Sequence, residues 1–345
     1  MMKLETISKE DIVKVEGNDN QWGLVYDDAI TENKAGEVNI HPTTYDLNGI
    51  KVAANIYTPA GYDESKKYPA VTVAHPNGGV KEQVAGLFAQ KLAEQGYITI
   101  TADATFQGQS GGEPRMVDRP ENRVEDIHGM VDAISLFPGV DYDRIGAFGV
   151  CGGGGYTLRA GQTDKRFKTV ATLSAFNSGL VRRNGFVDSQ IDSIQERLVT
   201  ASEARNKRIR GEGVDYTPDL KLLKPEEADK LPYDMYKEGY YYYAVDYAHP
   251  KSSFIYTQDS LLQLATYDAS VNMDLINVPL LMMAGKLADS FYLTEKAFAN
   301  ATGTQNKELF LIENAHHIET YWKPEYVKIE LKKLVEFLDK NLKGA

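Results

Sequence analysis

The stretch "RIGAFGVCGGGGYTLRAG", residues 144–161, decides how the rest of the chain is read. An apolar run ends directly at Cys151, glycines stand two residues before and two after it, and "YTLRAG" reads as the start of a helix. The pattern predicts a buried strand that turns sharply into a helix, with Cys151 at the turn. Such a turn strains the backbone of its central residue and needs small neighbours, because strand and helix pack closely there. The partial positive charge of a helix N-terminus would favour thiolate at that position. Cys151 is therefore expected to be a nucleophile rather than an inert core filler. The glycine run is not a phosphate cradle, since no Gly-Lys-Ser/Thr follows and no G-x-G-x-x-G spacing occurs.

A second frame of the same spacing, "GQSGG" (108–112), competes for the role. The preceding strand, "YITITAD", ends at Asp103, and a polar segment separates it from Ser110. A helix starting at Ser110 would hold Pro114 in its interior, where the ring clashes and an amide is missing. This frame reads as a glycine-rich turn.

Working outward, strands and helices alternate. "PAVTVAHP" (69–76), "YITITAD" (97–103), "RIGAFGV" (144–150), "KTVATLSAF" (168–176), "VPLLMMAG" (278–285) and "ELFLIENA" (308–315) read as strands. Amphipathic segments at 81–96, 123–137 and 324–342 read as helices, and "IKVAANIYTPA" (50–60) as an antiparallel strand. The expected class is α/β, a mostly parallel, doubly wound sheet with helices on both faces. Residues 177–277 interrupt the alternation, and a segment that long with its own helical stretches is read as an inserted helical cap. Residues 37–176 and 278–345 then form the core, and residues 1–36 stay unassigned.

Forty-nine acidic against 38 basic residues give a formal charge of −11, which argues against a nucleic-acid partner. The opening residues lack the apolar run of a signal peptide, and no stretch has the length of a membrane span. One cysteine permits no internal disulfide and no Cys-rich metal site. A soluble cytoplasmic protein without metal or cofactor is expected. The oligomeric state stays open, a homo-oligomer included.

A thiol nucleophile needs a base, and the base an orienting group. After Cys151 the chain holds His249, in the presumed cap, and His316 and His317, which follow the strand "ELFLIENA". One of the adjacent pair is the expected base, and no metal-ligand spacing accompanies it. Asp289, in the loop after "VPLLMMAG", is the expected acid. Backbone N–H groups of Gly152 and Asn77 are the expected oxyanion donors; Pro76 has no N–H to give.

With these residues in place, the chain resembles the α/β-hydrolase superfamily over about residues 37–343. It is most similar to the dienelactone-hydrolase-like branch and its fungal polyketide-transferase-like relatives. The matching stretches are "HPNGGVKEQ", "DATFQGQSGGEPR", "GVCGGGGY", "AGKLADS" and "NAHHIETY". The resemblance implies a triad of Cys151, Asp289 and His317, with an oxyanion hole at Asn77 and Gly152. It favours His317 over His316 through the following Ile318, Glu319 and Tyr321. It also implies that "GQSGG" is a turn. The expected reaction is cleavage of a carboxylic ester, thioester or lactone through a thioacyl-enzyme. The tyrosine-rich insertion suggests an aromatic or apolar substrate. An acyltransferase or peptidase with the same triad, and a non-catalytic ligand-binding protein of the same fold, are the alternatives.

Overall fold

The structure is a computed structural model and describes residues 2–344. Nine strands form one sheet in the order β1-β2-β3-β5-β4-β6-β7-β8-β9. They are β1 (Glu5–Thr6), β2 (Asn39–Leu47), β3 (Ile50–Thr58), β4 (Tyr68–Ala74), β5 (Ile98–Ala102), β6 (Val140–Val150), β7 (Phe167–Leu173), β8 (Leu280–Gly285) and β9 (Lys307–Ile312). The first three strands and the β3–β5 pair are antiparallel, and every pair from β5 to β9 is parallel. This is the α/β arrangement expected from the alternation.

The helices are α1 (Val84–Ala93), α2 (Pro120–Ser135), α3 (Gly152–Thr163), α4 (Ser178–Asn184), α5 (Ile194–Ile209), α6 (Pro225–Ala228), α7 (Asp234–Tyr240), α8 (Leu261–Leu264), α9 (Phe291–Asn300) and α10 (Pro324–Leu338). Alternate residues of one strand enter opposite cores, as a period of two requires. Val71, Val73, Phe148, Val150, Leu281 and Met283 pack with α1 and α10 on one face. Ala70, Ala74, Ala147, Leu280 and Met282 pack with α2 and α3 on the other. Both faces are covered, so the central stretches of these strands are mostly apolar and buried rather than alternating.

The insertion between β7 and β8 carries α4 to α8. Its tyrosine run forms α7 and a π-helical turn at Tyr241–Asp246. The unassigned N-terminal segment contributes to the core through Leu24 and Tyr26, and the Tyr26 hydroxyl lies 3.1 Å from that of Tyr57 and 3.0 Å from Gln90 Oε1. No described helix is long and apolar enough to cross a membrane.

The decisive feature is at β4. The chain leaves it through α1 to β5 on one side and returns through α2 to β6 on the other. The loops after β4 and β6 therefore diverge, leaving a crevice at their carboxyl ends. Asn77 follows β4 and Cys151 follows β6.

Candidate active site

Strand β6 runs straight into Cys151, and α3 begins at the next residue. Cys151 has φ 53° and ψ −121°, a backbone conformation costly for a residue with a side chain. Three hydrogen bonds hold it there: its N–H donates to Leu173 O at 2.9 Å, and its carbonyl accepts from Gly155 N at 3.1 Å and Phe176 N at 2.8 Å. The flanking glycines are required by contact. A Cβ on Gly149 would lie 2.5 Å from Gly153 O, and one on Gly153 would collide with the His75 carbonyl.

The side chain of Cys151 is 8% exposed and faces a cavity of about 530 Å³ between the sheet edge and the insertion. Gly152 and Asn77 stand side by side here, since a Cβ on Gly152 would collide with Asn77 Oδ1. Asn77 is held by its Nδ2, which donates to Ser178 Oγ at 2.7 Å. Burial pushes the Cys151 thiol above its ordinary value. The Tyr321 hydroxyl, the backbone N–H groups of Gly152 and Asn77, and the Arg182 guanidinium pull the other way without overcoming it. Burial thus acts on the sulfur against the thiolate that the sequence expects a helix N-terminus to favour.

His317 is fully buried. Its Nε2 lies 2.9 Å from the Tyr321 hydroxyl and its Nδ1 2.5 Å from Ser290 Oγ. Burial pushes its imidazole down to about 3. Tyr321 lines the cavity beside Cys151, whereas His317 does not. The hydroxyl of Tyr321 thus stands between the sulfur and the imidazole. A short helical turn, Ile318–Tyr321, sets this up by bringing the fourth residue after His317 back toward its ring.

Asp289 lies in the expected loop but makes no hydrogen bond to His317. Its Oδ2 accepts from Met235 N at 3.2 Å, and its Oδ1 is buried without a partner. Burial raises its carboxyl above the ordinary range. The next residue, Ser290, holds the histidine instead. His316 points elsewhere, with Nδ1 2.9 Å from Glu238 Oε1. His249 is buried, with its Nδ1 accepting from Lys251 N at 3.2 Å.

Glu238, His316 and Glu319 have ligand-type atoms within 4.8 Å of one another, but these atoms are engaged. Glu238 accepts from Ile318 N, and Glu319 accepts from His316 N and from Lys323 Nζ. A cluster that already holds a lysine ammonium and two backbone amides reads as a latch between α7 and the histidine loop. It is a poor cation site.

Sequence reasoning named Tyr321 only as part of a pattern and missed Ser290. A hydroxyl directly after a loop carboxylate was the one available signal for Ser290. Nothing in the chain order signalled that Tyr321 would face the sulfur.

A strand–helix turn carrying Cys151, the backbone N–H groups of Gly152 and Asn77, and a histidine loop beyond the last strand now stand together at one sheet edge. The model of the X-Pro dipeptidyl-peptidase (S15) family matches residues 48–319. The chain belongs to that family. It is a hydrolytic enzyme with the α/β-hydrolase fold, as the resemblance implied. The chain is 36% identical over 297 residues to the uncharacterized protein YcjY of Escherichia coli, covering 85% of this chain and 95% of that protein. The crystal structure of the hypothetical protein PA2218 of Pseudomonas aeruginosa superposes with a TM-score of 0.83 at 28% identity, over 96% of this chain and 99% of that one. The thiohydrolase aneE of Aspergillus aculeatus is 28% identical over 160 residues, 46% of this chain and 49% of that protein. S15 family members typically use serine; this chain carries Cys151 at the strand–helix turn.

Proposed function

We propose that this S15 family member hydrolyses a carboxylic ester, thioester or lactone through a thioacyl-enzyme on Cys151, in the manner of dienelactone-hydrolase-type enzymes. The observation that carries the reading is Cys151 at a strained strand–helix turn, facing a cavity with the N–H groups of Gly152 and Asn77 at its sulfur.

The resting pair is neutral thiol and neutral imidazole. On attack, the Cys151 proton passes to the Tyr321 oxygen as the Tyr321 proton passes to His317 Nε2. The sulfur bonds to the carbonyl carbon, and the oxyanion accepts from Gly152 and Asn77 N–H. Collapse breaks the bond to the leaving alcohol or thiol, which takes a proton back along the same path. Water then attacks the thioacyl group, giving its proton to His317 and releasing the acid and the Cys151 thiol. Ser290 fixes the imidazole in the resting state. Asp289, whose buried Oδ1 has no partner, takes the role of triad acid by stabilising the imidazolium once it forms. Residues 177–277 act as a cap that closes the cavity from water. A reducing compartment such as the cytoplasm suits an enzyme whose one cysteine is its nucleophile.

A peptidase reading follows from the family but fits the cavity less well. A dipeptidyl-peptidase must hold a substrate ammonium, and among the described residues no aspartate or glutamate lines the cavity. The reading is tested with a panel of aryl esters, thioesters, lactones and aminoacyl-proline amides against wild type and Cys151→Ala. Cys151-dependent release of acid from the oxygen or sulfur esters is expected. Turnover confined to the amides would replace it with the peptidase reading.

A further inference from the structure

The protein is acidic, at −11, yet among the described residues the wall of the cavity above Cys151 holds two arginines, Arg182 and Arg197, and no aspartate, glutamate or lysine. The two arginines differ in what they do. Arg197 donates to the backbone carbonyls of Arg182, Arg183 and Gln190, so it ties the end of α4 to α5. The Arg182 side chain makes no hydrogen bond and no ion pair within 4.0 Å among the described residues, and its Nε is buried without a partner. Its guanidinium lies 4.8 Å from the centre of the Tyr256 ring. Asp118 acts on it only from beyond ion-pair distance, and Arg182 is close enough to Cys151 to favour thiolate.

An unpaired guanidinium in a largely apolar wall is costly to fold, and an apolar residue would pack there more cheaply. A planar fork of N–H donors is suited to one ligand chemistry above all, a carboxylate or similar oxyanion. The remaining wall is apolar and aromatic: Phe186, Met235, Tyr236 and Tyr256 stand beside Arg182. We propose that Arg182 is a substrate subsite that binds a carboxylate carried on the acyl group, so that the enzyme's substrates are half-esters or half-thioesters of dicarboxylic acids with an apolar or aromatic body. This inference rests on the acyl-transfer reading for its chemistry, but the subsite itself does not need turnover to be observed.

The test therefore has two arms. In the first, Cys151→Ala protein is titrated by calorimetry with hydrocinnamate, with its neutral amide, and with phenyl phosphate. Hydrocinnamate is expected to bind about 10- to 100-fold more tightly than the amide, the range for a charge-assisted hydrogen-bonded pair. The added change Arg182→Gln should abolish that preference, and Arg182→Lys should keep part of it. Equal affinity for acid and amide, or a preference that survives Arg182→Gln, overturns the subsite. Phenyl phosphate binding more tightly than hydrocinnamate overturns the assignment to a carboxylate. Circular dichroism of each variant separates misfolding from lost binding. In the second arm, the ratio of kcat/KM for aryl hemiglutarate over aryl valerate is compared between wild type and the Arg182→Gln variant, with the same fold-change expected. Selective binding without any ester turnover would sink the acyl-transfer reading and leave the subsite standing. Turnover of both esters without charge preference would do the reverse.

Discussion

Gly108–Gly112 and Gly149–Gly153 share a five-residue spacing and almost nothing else. Ser110 is 2% exposed, its hydroxyl donating to Asp103 O at 2.7 Å and accepting from Ala53 N at 2.9 Å. Gly111 N donates to Lys51 O at 2.7 Å, so the turn stitches the end of β5 to β3. Asp103 also accepts from Gln109 N at 2.7 Å and Lys81 N at 2.8 Å, which ties the same turn to the segment after Asn77. Cys151 is held by its backbone instead, and its sulfur, with the Tyr321 hydroxyl beside it, faces the cavity. A spacing of small residues does not make a nucleophile. What distinguishes Cys151 is a strand that ends at the residue and a helix that starts after it, which fix the backbone without using the side chain.

The sharpest way to break this contrast is to remove each side chain. Cys151→Ala should fall to background, since no other group there can form the acyl bond. Cys151→Ser should lie between, because the shorter, less acidic hydroxyl sits off the sulfur's attack position. Ser110→Ala should keep kcat within about tenfold, under about 1.4 kcal/mol of transition-state stabilisation. It should instead lower unfolding stability by about 1–3 kcal/mol, the cost of leaving the buried Ala53 N–H unpaired. An enzyme silenced by Ser110→Ala, folded normally and untouched by Cys151→Ala, would reverse the assignment of the two frames.

The histidine pair gives the next largest effect. His317→Ala should cost about 10²–10⁴-fold in kcat, as expected of a general acid–base residue, and His316→Ala far less. Asp289→Asn against Ser290→Ala then separates charge from orientation. The Asp289 change is expected to cost more on the proposed mechanism, in which its carboxylate stabilises an imidazolium that burial disfavours. A large loss at Ser290 with near wild-type rates for Asp289→Asn would make the serine the sole partner. The same burial gives a stability signature. Charging His317 opposes the fold, so its contribution is present above 6.5 and is lost progressively as pH falls from 6.5 toward about 3. Chemical denaturation across that window should show a shallower pH slope for His317→Gln than for wild type.

How much of this was legible follows from where the information sits. The sheet was readable because both of its faces are buried, which leaves β8 and the second half of β6 as apolar runs and most of β4 and β7 apolar as well. Cys151 was readable because its backbone strain is written into adjacent glycines. The choice of His317 over His316 came from resemblance, since the residues alone left both open. Leu24 and Tyr26 were not readable as core because they pack from an irregular segment with no period. Ser290 meets His317, Tyr321 meets Cys151 and Arg182 meets the cavity across long stretches of sequence, so only the folded chain brings them together.

The smallest expected effect is the most direct check on the resting state of the two frames. Cys151 is the chain's only thiol, so alkylation reports one site. Burial raises its thiol above the ordinary value, and His317 is too weak a base to hold its proton at rest. Iodoacetamide labelling of native protein should therefore be slow at neutral pH and climb steadily through the alkaline range. A preformed thiolate–imidazolium pair would label fast, with a rate flat across neutral pH. Unfolded protein gives the reference, because exposure alone would return the thiol to an ordinary value of about 8.5. Tyr321→Phe adds the finer cut. Losing the hydroxyl removes the one side chain that hydrogen-bonds the sulfur, so the labelling curve should move modestly to higher pH. A shift toward lower pH would mean that His317 reaches the sulfur directly once the tyrosine oxygen is gone. Tyr321 would then be a barrier between base and nucleophile rather than the path between them.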